Sequence, residues 1–203
     1  MITLYHSPRT RSLRVLWLLE ELGVPYELKT LTFAASDLKS DAYLRINPLG
    51  KVPAIQDGDV QMFESGAIVE YLIERHGNGR LAPPLGTPER AAYLQWLHFA
   101  EATAMPPISD LAQHTMFKPE AERLAAMVPD ALARIQAWMQ TLEAALAGRD
   151  FACGTVFTGA DVMLGYSVLL TKWFQLIAAQ HPNLAAYVER LEARPALQQA
   201  LSA

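Results

Sequence analysis

A single cysteine, Cys153, stands in a chain of 203 residues. A lone thiol forms no intramolecular disulfide, and without a CxxC pair there is neither a zinc knuckle nor a dithiol redox centre, so a reducing, cytoplasmic setting is expected. Basic runs are missing as well. Lysine and arginine number 17 against 21 acidic residues, a formal charge of -4 spread along the chain, which leaves nucleic acid no electrostatic footprint. No apolar run approaches the roughly 20 residues that span a bilayer. Arg9, Arg11, Arg14, Glu20 and Glu21 interrupt the stretch where a secretory signal would carry its apolar core. No membrane partner is therefore expected. His6, His76, His114 and His181 share no metal-ligand spacing, so no metal is expected either.

What is present is a large apolar fraction, 51% of residues, with 19% charged, the balance of a soluble globular protein with a substantial core. Residues 1–6 alternate Ile2 and Leu4 with polar neighbours, a strand pattern. From Ser12 the set Leu13, Leu16, Trp17, Leu19 and Leu22 takes up helical spacing. Gly23 and Pro25 supply the stop. "YELKTLTF" (26–33) reads as a second strand, parallel to the first because a helix crosses between them. Asp57-Gly58 within "VPAIQDGDVQMFE" (52–64) marks an antiparallel hairpin. "SGAIVEYLIERHG" (65–77) follows as a helix opening on Ser65 as N-cap and closing on Gly77. These elements form a mixed four-stranded sheet with helices.

"GNGRLAPPLGTP" (77–88), rich in proline and glycine, suits neither helix nor strand and places a linker. Beyond it no strand pattern returns. Residues 89–147 and 159–202 carry helical spacing, with Met105-Pro106-Pro107 expected to end or kink the first helix and Pro129, Pro182 and Pro195 marking later starts or breaks. The expected organisation is an α/β domain over 1–78, a linker over 79–88 and an all-α domain over 89–203.

Three short motifs can carry chemistry. "SPRT" (7–10) is a hydroxyl-bearing turn at the start of the first helix, where the macrodipole favours an anion; Ser7, Thr10 or Ser12 could equally cap the helix. "NPLGKVPAI" (47–55) puts Pro53 at the front of a strand, where it costs no ladder hydrogen bond. Base rates alone make that X-Pro bond trans. "ESGAIVEYL" (64–72) sets Glu64 and Ser65 at a strand-to-helix junction, suited to gripping an amino acid head group: backbone N–H groups and a hydroxyl for its carboxylate, Glu64 for its ammonium. "TGAD" (158–161) reads as a capping box that aids folding. Cys153 reads as a small buried hydrophobe.

Taken together, "SPRTRS", "NPLGKVP", "FESGAIVEYL" and "TGAD" resemble the cytosolic glutathione transferase family, over essentially the whole chain. The resemblance implies a thioredoxin-like N-terminal domain, an all-helical C-terminal domain and a homodimer. It also implies glutathione as co-substrate, a hydrophobic electrophile as second substrate and a role in detoxification. Val52-Pro53 would be a cis bond that lets the Val52 backbone pair with the cysteinyl part of glutathione. Glu64 and Ser65 would hold the γ-glutamyl end, and Lys39 and Lys51 would face the glycine carboxylate. Ser7 matches the catalytic hydroxyl of serine-type members. Tyr5 aligns with the catalytic tyrosine of tyrosine-type members, and Thr10 is a third candidate. Ser7 is favoured because Tyr5 ends the alternating strand on the parity opposite Leu4. The turn carries oxygen where glutaredoxin-like members carry sulfur, so a mixed-disulfide mechanism lacks its nucleophile.

His98, Trp96, Phe99, Glu101 and Met105 lie on the helix that lines the electrophile pocket in the family. Two alternatives stay open: a glutathione-dependent peroxidase, isomerase or dehalogenase using the same site, and a non-catalytic binding or regulatory module.

Overall fold

Strand β1 (Ile2–His6) opens a computed structural model that describes every residue from Met1 to Ala203. Helix α1 (Ser12–Leu22) follows and stops at Gly23, whose φ of 66° lets its N–H return to the carbonyls of Leu19 and Glu20. Strand β2 (Tyr26–Thr30) then lies parallel to β1, with Ile2 opposite Tyr26 and His6 opposite Thr30. One-turn helices α2 (Ala35–Leu38) and α3 (Asp41–Leu44) precede the hairpin of β3 (Ala54–Asp57) and β4 (Val60–Phe63). The sheet order is β2-β1-β3-β4, with β3 antiparallel to both neighbours. Helix α4 (Ser65–His76) closes this part.

The sheet order places the chemistry. Ser7 follows the end of β1, Pro53 precedes β3 and Glu64 follows β4. Because β3 runs opposite to β1 and β4, with Tyr5 beside Ala54 and Ala54 beside Phe63, these three positions meet at one edge of the sheet. The first turns of α1 and α4 lie at that same edge.

Two expectations shift here. The second strand ends at Thr30, short of Phe33, because the Asp37 carboxylate takes the Thr32 N–H at 2.8 Å and the Thr32 hydroxyl at 2.6 Å, drawing the backbone out of the ladder. Helix α1 is buried all round, from Ser12 through Leu19, where one apolar stripe was expected. An all-round apolar helix belongs inside.

The chain divides into two compact units. The first comprises Met1–Ala82 together with Glu192–Ala203, and the second Pro83–Leu191. The expected all-α domain over 89–203 thus gives up its last helix. α10 (Pro195–Leu201) packs against α1 and buries Leu197 and Ala200. Arg194 grips Glu21 with two bonds, of 2.6 and 2.7 Å.

In the second unit, α5 (Pro88–Phe99) passes through a π-helical segment, Ala100–Ala104, into α6 (Met105–Ala112). The widened turn sits where Pro106 and Pro107 withdraw two N–H donors, so the expected break is a bulge with the helix continuing beyond it. A second π turn (Gln113–Phe117), a 3₁₀ turn (Glu120–Glu122) and α7 (Met127–Ala145) follow. Helical spacing therefore fails over 118–126. Helix α8 (Gly159–Trp173) is buried on nearly all sides and packs against α5 and α6, and α9 (Pro182–Glu192) follows it. Thr158 and Asp161 form the expected capping box. The buried Asp161 carboxylate also accepts from the Ala152 N–H and the Tyr187 hydroxyl, each at 2.8 Å. No helix is long and apolar enough to cross a membrane.

Candidate active site

Backbone and hydroxyl groups bind the 7–12 turn to itself. The Ser12 hydroxyl accepts from the Ser7 N–H at 3.1 Å and lies 3.1 Å from the Ser7 carbonyl, 2.7 Å from the Thr10 hydroxyl and 2.9 Å from Nδ1 of His6. Thr10 Oγ1 lies 2.7 Å from the Ser7 carbonyl and accepts from the Ser12 N–H. Arg9 takes the left-handed φ of 61° that the tight turn needs. The Ser7 hydroxyl, in a side chain only 2% exposed, makes no hydrogen bond within the chain. His6 is buried beneath the turn; burial lowers its pKa against a smaller opposing effect of its bond to Ser12. The imidazole is therefore neutral at pH 7.

Tyr5, the other candidate, occupies different surroundings. It is buried in a cluster with Leu38, Tyr43, Val52 and Ala54, its ring 5.5 Å from that of Tyr43. Its hydroxyl donates to Gln56 Oε1 at 2.8 Å.

The 47–53 loop is tied by Asn47 and Tyr43. Asn47 Nδ2 and the Tyr43 hydroxyl both donate to the Lys51 carbonyl at 2.6 Å, and Asn47 Oδ1 accepts the Leu49 N–H. Burial, reinforced by the charge of Tyr5 when ionised, raises the Tyr43 phenol to about 12, so it stays a donor. Gly50 has φ 58°, and a Cβ there would meet the Leu38 carbonyl at 2.4 Å and Nζ of Lys39 at 2.8 Å. Only glycine lets Lys39 reach across, where its Nζ donates to the Leu49 carbonyl at 2.7 Å. Both Lys39 and Lys51 are exposed. The Val52-Pro53 bond is cis, as the resemblance implies and base rates do not. The Val52 N–H and carbonyl have no partner within the chain.

At the third motif the structure corrects one expectation. Glu64, not Ser65, occupies the N-cap position, and no side chain caps the helix. Ser65 is the first helical residue, and its hydroxyl instead accepts from Nη1 of Arg14 at 3.1 Å. Glu64 is exposed and holds φ 77°, ψ 106°, a backbone conformation that costs a non-glycine residue about 1–3 kcal/mol. Such strain is characteristic of functional positions.

The expected residues Ser7, Val52-Pro53, Glu64-Ser65, Lys39 and Lys51 all lie on the first unit, the first three groups at the same end of its sheet. The side chains that brace them, Arg14, His6, Tyr43 and Asn47, were not among those expected. Arg14 did carry a signal, as the only charge within "LRVLWLL" (13–19).

In the second unit, a groove of about 400 Å³ lies between α5–α6 and α7, lined by Phe99, Pro106, Pro107, Arg134, Trp138 and their neighbours. Phe99 meets the buried Trp96 edge to face, Met105 is buried and His98 is exposed. Cys153 is half-buried; burial, with the nearby Asp161 carboxylate, pushes its thiol to about 11, so it is protonated and unreactive at neutral pH. No group of three or more His, Cys, Asp and Glu side chains is placed to hold a metal ion.

Comparison with known proteins agrees with this geometry. The family "Glutathione S-transferase, N-terminal domain" matches residues 1–74, and "Glutathione S-transferase, C-terminal domain" matches 104–195. Glutathione S-transferase 4 of Zea mays is 31% identical over 194 residues, covering 90% of this chain and 83% of its own. The theta class glutathione S-transferase of Xanthomonas axonopodis pv. citri, solved with glutathione bound, superposes with a TM-score of 0.85 at 31% identity. That match covers 100% of this chain and 98% of the other. The glutathione transferase URE2P6 of Phanerochaete chrysosporium, in complex with oxidized glutathione, gives a TM-score of 0.89 at 27% identity, covering 99% and 94%. A thioredoxin-like sheet, a cis-proline loop, a strained Glu64 before α4 and a helical second unit, matched along nearly the full length by such relatives, mean that this chain belongs to the glutathione S-transferase family.

Proposed function

We propose that the chain is a cytoplasmic, homodimeric transferase that conjugates the glutathione thiolate to hydrophobic electrophiles, with the Ser7 hydroxyl donating a hydrogen bond to the sulfur. The observation that carries this is the commitment of the other two hydroxyls of the turn. Thr10 and Ser12 hydroxyls and the Ser7 N–H and carbonyl bond to one another, while the Ser7 hydroxyl bonds to nothing in the chain. Tyr5, by contrast, already donates to Gln56.

The energetics ask for such a donor. A free thiol has a pKa of about 8.5, and lowering it by about two units takes roughly 2.7 kcal/mol. A helix N-terminus contributes about 0.3–1 kcal/mol. A hydrogen bond to a charged acceptor contributes about 1.5–3 kcal/mol, so the hydroxyl carries the larger share.

The rest of glutathione has complementary groups. Val52 offers an unpaired N–H and carbonyl to the cysteinyl unit. The open first turn of α4, Ser65 and Glu64 suit the γ-glutamyl carboxylate and ammonium, and the exposed Lys39 and Lys51 suit the glycine carboxylate. The glutathione-bound state of the Xanthomonas relative supports the same ligand here.

The test is thioether formation between glutathione and a generic aromatic electrophile, across about pH 5.5 to 9 so as to bracket the free thiol pKa. For the native chain a saturable rate is expected, with an apparent pKa well below that of free glutathione. Ser7→Ala should retain glutathione binding, raise that pKa toward the free value and cut turnover at least about tenfold. Unchanged turnover in Ser7→Ala would transfer the role to Tyr5. Binding of glutathione with no rate above background would redirect the assignment to another glutathione-dependent reaction or to a binding module.

A further inference from the structure

His6 ends β1 directly before the turn and is only 1% exposed. Its ring makes one hydrogen bond, between Nδ1 and the Ser12 hydroxyl at 2.9 Å, while its Nε2 is buried with no partner. A neutral imidazole carries its proton on one nitrogen and a lone pair on the other. Which nitrogen holds the proton is decided by the hydroxyls of the turn.

Ser12 Oγ has one proton and two lone pairs. The Ser7 N–H takes one lone pair. The proton and the second lone pair are left for His6 Nδ1 and Thr10 Oγ1, at 2.9 and 2.7 Å, so one of these groups donates to Ser12 and the other accepts from it. Suppose Thr10 donates to Ser12 and Ser12 to Nδ1. The ring proton then sits on the buried Nε2 without an acceptor. The Ser7 carbonyl, whose partners are these two hydroxyls, accepts nothing. In the reverse arrangement Nδ1–H donates to Ser12, Ser12 to Thr10, and Thr10 to the Ser7 carbonyl at 2.7 Å. A single ring lone pair is then unused, against a buried N–H and a buried carbonyl in the first arrangement. Each buried polar group left without a partner costs free energy, so the second arrangement is the stable one.

The resulting chain of donors runs one way, from His6 through Ser12 and Thr10 to the Ser7 carbonyl, and Ser12 also holds the Ser7 N–H. Both backbone polar groups of Ser7 are anchored by it. We infer that His6 is held as the Nδ1–H tautomer and is a positioning residue, which by directing this chain fixes the Ser7 backbone and aims the Ser7 hydroxyl at the ligand sulfur. The role in aiming the hydroxyl rests on the glutathione reading above. His6 itself does not touch the ligand.

The experiment measures glutathione conjugation to a generic aromatic electrophile, its pH profile and equilibrium glutathione binding for the native chain, His6→Asn, His6→Gln and His6→Leu. Asparagine carries its amide nitrogen as many bonds from the backbone as Nδ1 does, glutamine as many as Nε2, and leucine has no donor. His6→Asn should keep kcat within about threefold of native. His6→Gln and His6→Leu should lose about tenfold or more and raise the apparent pKa of the bound thiol, with the glutathione dissociation constant changed less than about twofold. A loss in His6→Asn as large as in the other two, or native turnover in His6→Gln, would overturn the inference. Failure of the native chain to bind glutathione would overturn the glutathione reading, a separate result. Nitrogen NMR of the His6 ring in the native chain needs no variant to fold and no ligand to bind: the proton should reside on Nδ1, and a proton on Nε2 overturns the inference.

Discussion

Ser12 has the contacts of a positioning residue. Its hydroxyl lies within 3.1 Å of His6 Nδ1, the Ser7 N–H, the Ser7 carbonyl and the Thr10 hydroxyl, so it holds the backbone from which the Ser7 hydroxyl projects. Ser12→Ala leaves a buried N–H and a buried imidazole nitrogen without that partner, at a cost of about 1–3 kcal/mol for each unsatisfied group. Turnover in Ser12→Ala should fall well below native while the dissociation constant for glutathione changes little, because the groups at α4 and the cis-proline loop are untouched. Steady-state kinetics beside equilibrium binding separate the two, and an unchanged kcat would remove Ser12 from this role. At this scale the sequence was half legible. Ser7, Glu64 and Ser65 stand out because hydroxyl and carboxyl groups sit beside helix starts. Asn47 and Tyr43 give no signal, since what they hold is a carbonyl four and eight residues away in a turn that no spacing rule encodes.

At the scale of elements, α4 begins under strain. Glu64 at φ 77° bears a conformation that glycine adopts without steric cost,. Glu64→Gly is therefore expected to leave stability unchanged or raise it by up to about 1 kcal/mol. The same change should weaken glutathione binding by about tenfold or more through loss of the carboxylate. Thermal unfolding together with binding measures both, and a clear drop in the melting temperature would show that Glu64 is held for stability. The sequence identified the helix and its boundary within one residue. It assigned the cap to Ser65, because a serine before an apolar helical run is ordinarily the capping group, and only the neighbouring helix, through Arg14, gave that hydroxyl another partner. Helix α1 shows the same limit. Its apolar spacing established a helix, yet whether one face or all faces would be covered depended on β1, α4 and α10 arriving around it.

For the whole molecule, the decisive feature is the return of Glu192–Ala203 to the first unit. Leu197 and Ala200 pack on α1, and Arg194 forms a bidentate pair with Glu21, whose side chain is only 9% exposed. Ending the chain after Glu192 removes both the apolar cover and the cation. Left with only the Trp17 indole N–H at 2.9 Å, the nearly buried Glu21 carboxylate loses its charge partner and destabilises the fold, since breaking such a pair costs about 3–5 kcal/mol. The truncated chain is expected to melt at a lower temperature, with glutathione restoring part of the loss by binding the folded state. Differential scanning calorimetry with and without glutathione tests this, and an unchanged transition would make α10 dispensable.

The sequence by itself determined the order of the four strands, the long helices of both units, the hairpin, the capping box at Thr158 and Asp161 and the family, because each is written in residues close together along the chain: alternation, helical period, turn pairs and short motifs. Tertiary structure alone decided which side chains share a hydrogen bond across long separations. Arg14 meets Ser65, Tyr5 meets Gln56 and Glu21 meets Arg194. The physical reason is that a hydrogen bond is made to whatever atom lies within about 3 Å in the right direction, and local sequence rules carry no information about which distant atom the fold will deliver there.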